Sequence, residues 1–123
     1  MPDLSIKVKK PSEYNNIAIV ELTGYLDSNS SSDFEHVLNK LIFEGIYRII
    51  VVLEGVDYIS SAGWGIFVGI IKTIRDNGGD LKIVRMIPDV FETFKLLEFD
   101  EIFKVYDFVE DAIKDFGEKK DEG

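Results

Sequence analysis

Apolar and polar residues alternate over residues 4–8, the spacing of a half-buried strand. The polar run Pro11-Ser12-Glu13-Tyr14-Asn15-Asn16 that follows reads as a turn. Residues 17–22 predict a second strand, paired with the first as a hairpin and broken by Gly24. Asp27-Ser28-Asn29-Ser30-Ser31-Ser32-Asp33 is a polar loop rich in residues that cap helices. Beyond it Phe34, Val37, Leu38, Leu41 and Ile42 recur at helical spacing, and Gly45 closes that helix. Residues 48–53 form a nearly unbroken apolar run, as in a central strand covered on both faces.

The second half repeats the alternation. Ile66, Phe67, Ile70, Ile71 and Ile74 predict a helix that stops at Asn77-Gly78-Gly79. Residues 81–86 read as a strand, and Pro88 opens a short helix carrying Val90, Phe91, Phe94 and Leu97. Residues 102–106 predict a last short strand. Residues 107–116 predict a closing helix with Phe108, Val109, Ala112, Ile113 and Phe116 inward. Strands alternating with helices after an opening hairpin give an α/β domain, with a mixed sheet of about four to five strands and about four helices. That domain occupies residues 1–117, and residues 118–123 form a charged, frayed tail.

Composition narrows the function. The 123 residues suffice for one core, and 46% hydrophobic with 30% charged residues marks an ordered globular chain. A formal net charge of −9 argues against direct nucleic-acid binding, which rests on Lys and Arg neutralising phosphates. It equally disfavours an anionic membrane surface. The absence of cysteine excludes disulfides, thiolate nucleophiles and cysteine-ligated zinc. No basic stretch followed by an apolar run opens the chain, and the longest apolar stretch, residues 66–71, is far short of the roughly 20 that span a bilayer. The expectation is a cytoplasmic protein without membrane insertion.

The chemistry concentrates in Tyr58-Ile59-Ser60-Ser61-Ala62-Gly63-Trp64-Gly65. Two hydroxyls stand where a strand hands over to a helix, and small residues leave the approach open. A phosphate there would meet unpaired backbone N–H groups and the positive end of a helix dipole. The stretch Leu53-Glu54-Gly55-Val56-Asp57-Tyr58-Ile59-Ser60-Ser61-Ala62-Gly63 resembles the signature of the STAS domain, named for sulfate transporters and anti-sigma factor antagonists. Gly24-Tyr25-Leu26-Asp27, Gly78-Gly79-Asp80-Leu81 and Phe99-Asp100-Glu101-Ile102-Phe103 are similar to further segments of that family, in the same order.

The resemblance implies a stand-alone anti-sigma factor antagonist with no catalysis or cofactor of its own. Unphosphorylated, such a protein binds an anti-sigma factor that is also a serine kinase. Phosphorylation of the serine at the position of Ser61 releases it, and a phosphatase resets the switch. Ser60 takes the capping position beside it. Two rivals stay open: an accessory subunit of a membrane transport complex on the same fold, and a small ligand-binding or hydrolase domain using Ser61.

Around Ser61, the helical wheel puts Trp64 and Val68 at the edge of the apolar arc and Gly65 and Gly69 beyond it. Trp64, Gly65, Val68 and Gly69 are therefore expected to form a flat partner-binding patch beside Ser61, with tryptophan a frequent hot spot. Asp27 is a further candidate contact for partner cations, whereas Asp57 reads as turn chemistry. His36, the only histidine, opposes Phe34, Leu38 and Leu41 on its helix, which makes a metal site or a hydrolytic triad poorly supported.

Overall fold

The computed structural model describes residues 3–14 and 16–117. Strands β1 (Ser5–Lys9) and β2 (Ile17–Leu26) form the expected hairpin, antiparallel from Ser5↔Thr23 to Lys9↔Ile19. The chain then alternates through α1 (Ser31–Phe43), β3 (Arg48–Ile59), α2 (Ser61–Asp76), β4 (Asp80–Met86), α3 (Pro88–Leu96), β5 (Val105–Tyr106) and α4 (Val109–Phe116). The sheet order is β1-β2-β3-β4-β5, and every pair after the hairpin is parallel. When parallel neighbours follow chain order, crossovers of one hand put their helices on one face. Accordingly α1, α2 and α3 pack on one side of the sheet, and α4 covers the other.

The two-residue period of the strands sorts side chains between these faces. Ala18, Val20 and Leu22 of β2, with Ile49, Val51 and Leu53 of β3, meet Phe34, Leu38, Phe67 and Phe94 of the three helices. Ile17, Ile19, Ile50 and Val84 point the other way, under Val109, Ala112, Ile113 and Phe116. The unbroken apolar run of β3 is thus a strand buried on both faces.

Lys82 lies on the α4 side and is only 6% exposed. Its Nζ sits 4.7 Å from the Phe116 ring centroid and 3.5 Å from Asp115 Oδ2. The Tyr106 hydroxyl donates to the same carboxylate. That hydrogen bond, with the Lys82 charge, holds Asp115 below the usual carboxylate range. Burial, followed by the bond to Asp115, pushes the Tyr106 hydroxyl up.

Several boundaries differ from the sequence pattern. Gly24 does not end β2: it adopts φ +111° at a register shift, where a side chain would collide with the Asp3 carbonyl, and the strand continues to Leu26. The longer β2 gives β3 a partner beyond Leu53, pairing Thr23 with Gly55 and Leu26 with Ile59. Residues 102–103 are not strand. Their N–H groups donate to Phe99 O at 2.9 Å, closing a 3-10 turn over Phe99–Glu101 that buries Phe103. Phe108 does not face inward either; it caps α4, is 54% exposed and lies under the Arg85 guanidinium. Asn15 of the expected turn and the expected tail at 118–123 fall outside the described residues.

Candidate functional site

The register pairs Leu26 with Ile59, so β2 and β3 end together. The helices they feed, α1 and α2, start at the same edge, outside the carboxyl ends of parallel strands where α/β sheets bind ligands. Ser60 leaves β3 in an extended conformation, and its N–H donates to Leu26 O at 2.9 Å. Its Oγ accepts from the Gly63 N–H at 3.2 Å, capping α2. Gly63 is required by packing: a Cβ there would stand 2.7 Å from Leu26 O and 2.9 Å from Ile59 Cγ2. These contacts press the first turn of α2 against the strand ends.

Ser61 is the first helical residue and is exposed. With Ser60 serving as the cap, the Ser61 hydroxyl takes part in no hydrogen bond among the described residues. The α2 dipole adds partial positive charge at this point, along with first-turn N–H groups that have no intrahelical acceptor.

Ser61 opens onto a groove of about 450 Å³ between the end of β3, α2 and α3. Asp57, Tyr58 and Trp64 line one side, and Asp89, Thr93 and Leu97 the other. Two carboxylates and no basic side chain are among its lining residues. Tyr58 is 51% and Leu97 49% exposed.

Trp64 corrects the sequence reading. It is 3% exposed and lies within ring-stacking distance of Phe67, Phe94 and Phe99, so it does not belong to a flat outer patch. The wheel located it at the edge of the apolar arc but held no trace of α3, whose packing closes over the indole. Trp64 is instead a wall of the groove, and its Nε1 is buried without an acceptor among the described residues. A donor left in that state costs about 1–3 kcal/mol. Gly65, Val68 and Gly69 do lie on the outer face of α2, with no atom within 4 Å of a Cβ built on either glycine.

Asp27 sits at the neighbouring helix start, outside this groove. Its Oδ1 accepts from the N–H groups of Asn29 at 2.9 Å and Ser30 at 3.2 Å, so the carboxylate organises the entry to α1. His36 is exposed on α1, in a separate depression with Lys10, Lys40 and Glu44, where the Lys10 hydrogen bond lowers the Glu44 carboxyl. The sequence reading missed the contribution of α3. Its apolar set held the signal: Val90 and Phe94 are buried, whereas Phe91 and Leu97 extend the same arc onto the surface.

Residues 9–112 match the STAS domain. The chain belongs to that family. A Thermotoga maritima protein provisionally designated an anti-sigma factor antagonist is 33% identical over 86 residues, 70% of this chain and 73% of that protein. The anti-sigma-B factor antagonist of Staphylococcus aureus is 30% identical over 86 residues, 70% of this chain and 80% of that protein. The solved structure of the Bacillus cell-fate determinant SpoIIAA in its phosphorylated form has the same fold, with a TM-score of 0.71 at 18% identity, covering 91% of this chain and 99% of that one. Among the described residues, no helix of this STAS protein is long and apolar enough to cross a membrane.

Proposed function

We propose that this STAS protein is an anti-sigma factor antagonist switched by phosphorylation of Ser61. Unphosphorylated, it binds an anti-sigma factor that is also a serine kinase, freeing a sigma factor for transcription. The kinase transfers the terminal phosphoryl group of ATP to the Ser61 hydroxyl, affinity drops, and a phosphatase removes the group. The protein is substrate and binder.

One observation carries the reading: Ser60 satisfies the capping requirement of α2, leaving the adjacent Ser61 hydroxyl exposed and without a hydrogen bond. A serine needed for the fold would be a poor switch, because modifying it would damage the scaffold. Phosphate adds about −1.5 to −2 charges and three acceptor oxygens at pH 7. The helix N-terminus accommodates that charge locally. A partner closing over it without a cation would bury an uncompensated dianion, at a cost of several kcal/mol. A loss of about 3 kcal/mol already weakens binding more than a hundredfold. Gly65, Val68 and Gly69 continue the exposed α2 face away from Ser61 and extend the contact surface.

Incubation with purified anti-sigma kinases and ATP, followed by mass-spectrometric site mapping, tests the proposal. Phosphate should appear on Ser61 and be absent from Ser61→Ala. Stoichiometric phosphate on Ser60 or elsewhere, persisting in Ser61→Ala, would refute it.

A further inference from the structure

The groove beside Ser61 has three properties that the phosphorylation switch does not require. Its wall contains the Trp64 ring, held rigid by packing on Phe67, Phe94 and Phe99. Its lining pairs apolar surface from Tyr58, Val90 and Leu97 with the exposed carboxylates of Asp57 and Asp89, without a basic side chain. The apolar surface continues past the groove along α3, where Phe91 is 40% and Leu96 75% exposed. At about 450 Å³ the space falls within the roughly 300–1,000 Å³ of ordinary ligand sites.

From these features we infer that the groove between α2 and α3 is a docking slot for a partner segment carrying a large apolar side chain flanked by Lys or Arg. The apolar side chain fills the slot against Tyr58, Val90 and Leu97. The flanking cations pair with Asp57 and Asp89. Charge complementarity selects this occupant: a chain of net charge −9 presenting two carboxylates around an apolar slot repels acidic segments and attracts basic ones. That the segment belongs to the anti-sigma partner rests on the function proposed above. Because Ser61 also lines the slot, a phosphate there takes up the volume of the apolar anchor beside two carboxylates. The slot would thereby couple recognition to the switch.

The single tryptophan supplies an unambiguous reporter, since the full chain gives one indole N–H resonance. The 15N-labelled protein is titrated with two synthetic peptides of equal length, each with a central Leu-Phe, one flanked by Lys and the other by Glu, and separately with phenol. The Lys-flanked peptide should shift the indole resonance saturably and bind at least about fivefold more tightly than the Glu-flanked one. The surface double variant Asp57→Asn/Asp89→Asn should fold normally and lose that preference. An indole signal unmoved by either peptide, or moved equally by both, would overturn the inference. So would saturable binding of phenol with no peptide binding, which would mark a small-molecule site instead. No kinase enters this experiment, so the slot and the Ser61 switch fail separately.

Discussion

Two helices begin side by side at the same edge of the sheet, each after a parallel strand and each at a run of serines, yet their polar groups are used in opposite ways. At the start of α1 the Ser30 hydroxyl and the Asp27 carboxylate are consumed internally. Ser30 Oγ donates to Tyr25 O at 2.7 Å and accepts from the Asp27 N–H at 3.0 Å, Asp27 Oδ1 caps the loop, and Ser31 is 9% exposed. At the start of α2 one bond from Gly63 to Ser60 does the capping, and Ser61 is left exposed at a groove. Residue type and topology are shared, so neither by itself makes a switch. The difference lies in placement: at the α1 junction the Ser30 and Asp27 side chains turn back on the loop, whereas at the α2 junction the Ser61 hydroxyl, with no hydrogen bond among the described residues, lines a groove.

Substitutions can break that contrast, beginning with the open junction's wall. Trp64→Ala removes an aromatic packed on Phe67, Phe94 and Phe99 and should destabilise the fold by about 3–5 kcal/mol in chemical denaturation. A loss under 1 kcal/mol would mean that the indole is not part of the core. Gly63→Ala forces a Cβ against Leu26 O and should cost about 1–3 kcal/mol, lifting the first turn of α2 from the strand ends. A neutral result would show that the close approach does not position Ser61.

Smaller effects sharpen the comparison. Asp27→Ala should cost about 1–2 kcal/mol through the lost α1 entry cap, with partner affinity changed less than twofold. A large affinity loss at unchanged stability would make the closed junction a contact surface as well. Ser60→Ala should cost about 1 kcal/mol and leave Ser61 phosphorylatable.

The weakest effect is reserved for pH and falls on the opposite face of the sheet. The folded pKa of Asp115 is depressed, so its contribution is present above the unfolded value of about 3.9 and is lost as pH falls through the folded value. Tyr106 is raised, so its contribution is complete below the unfolded value of about 10 and is lost as pH rises through the folded value. Protection of the α4 amides, measured against the intrinsic exchange rate at each pH, should therefore fall at pH 3 and pH 11 relative to pH 7, before protection at the α2 junction does. Simultaneous loosening of both would show that the two faces are not independent.

How much of this was legible in the sequence depended on whether the interaction was local. Strand–helix alternation, the double-faced burial of β3 and the capping role of Ser60 follow from short-range pattern, and each appears in the structure. The continuation of β2 through Gly24 did not, because a glycine at positive φ in a bulge and one in a turn read alike until the partner strand is known. Trp64 was misplaced for a related reason: its burial comes from Phe94 and Phe99, 30 and 35 residues further along the chain, and the helical wheel contains only α2. The groove itself was invisible, since Asp89, Thr93 and Leu97 meet Ser61 only through the crossover that lays α3 beside α2.

The central claim is tested most directly by measuring the affinity of the anti-sigma kinase for the wild-type chain, Ser61→Ala and Ser61→Glu alongside their thermal stability. Ser61→Glu places a carboxylate at a helix N-terminus and should leave stability unchanged or raise it by about 0.3–1 kcal/mol. The same variant should lose more than a hundredfold in affinity, corresponding to about 3 kcal/mol, while Ser61→Ala binds like wild type. Undiminished binding by a well-folded Ser61→Glu protein would contradict the account.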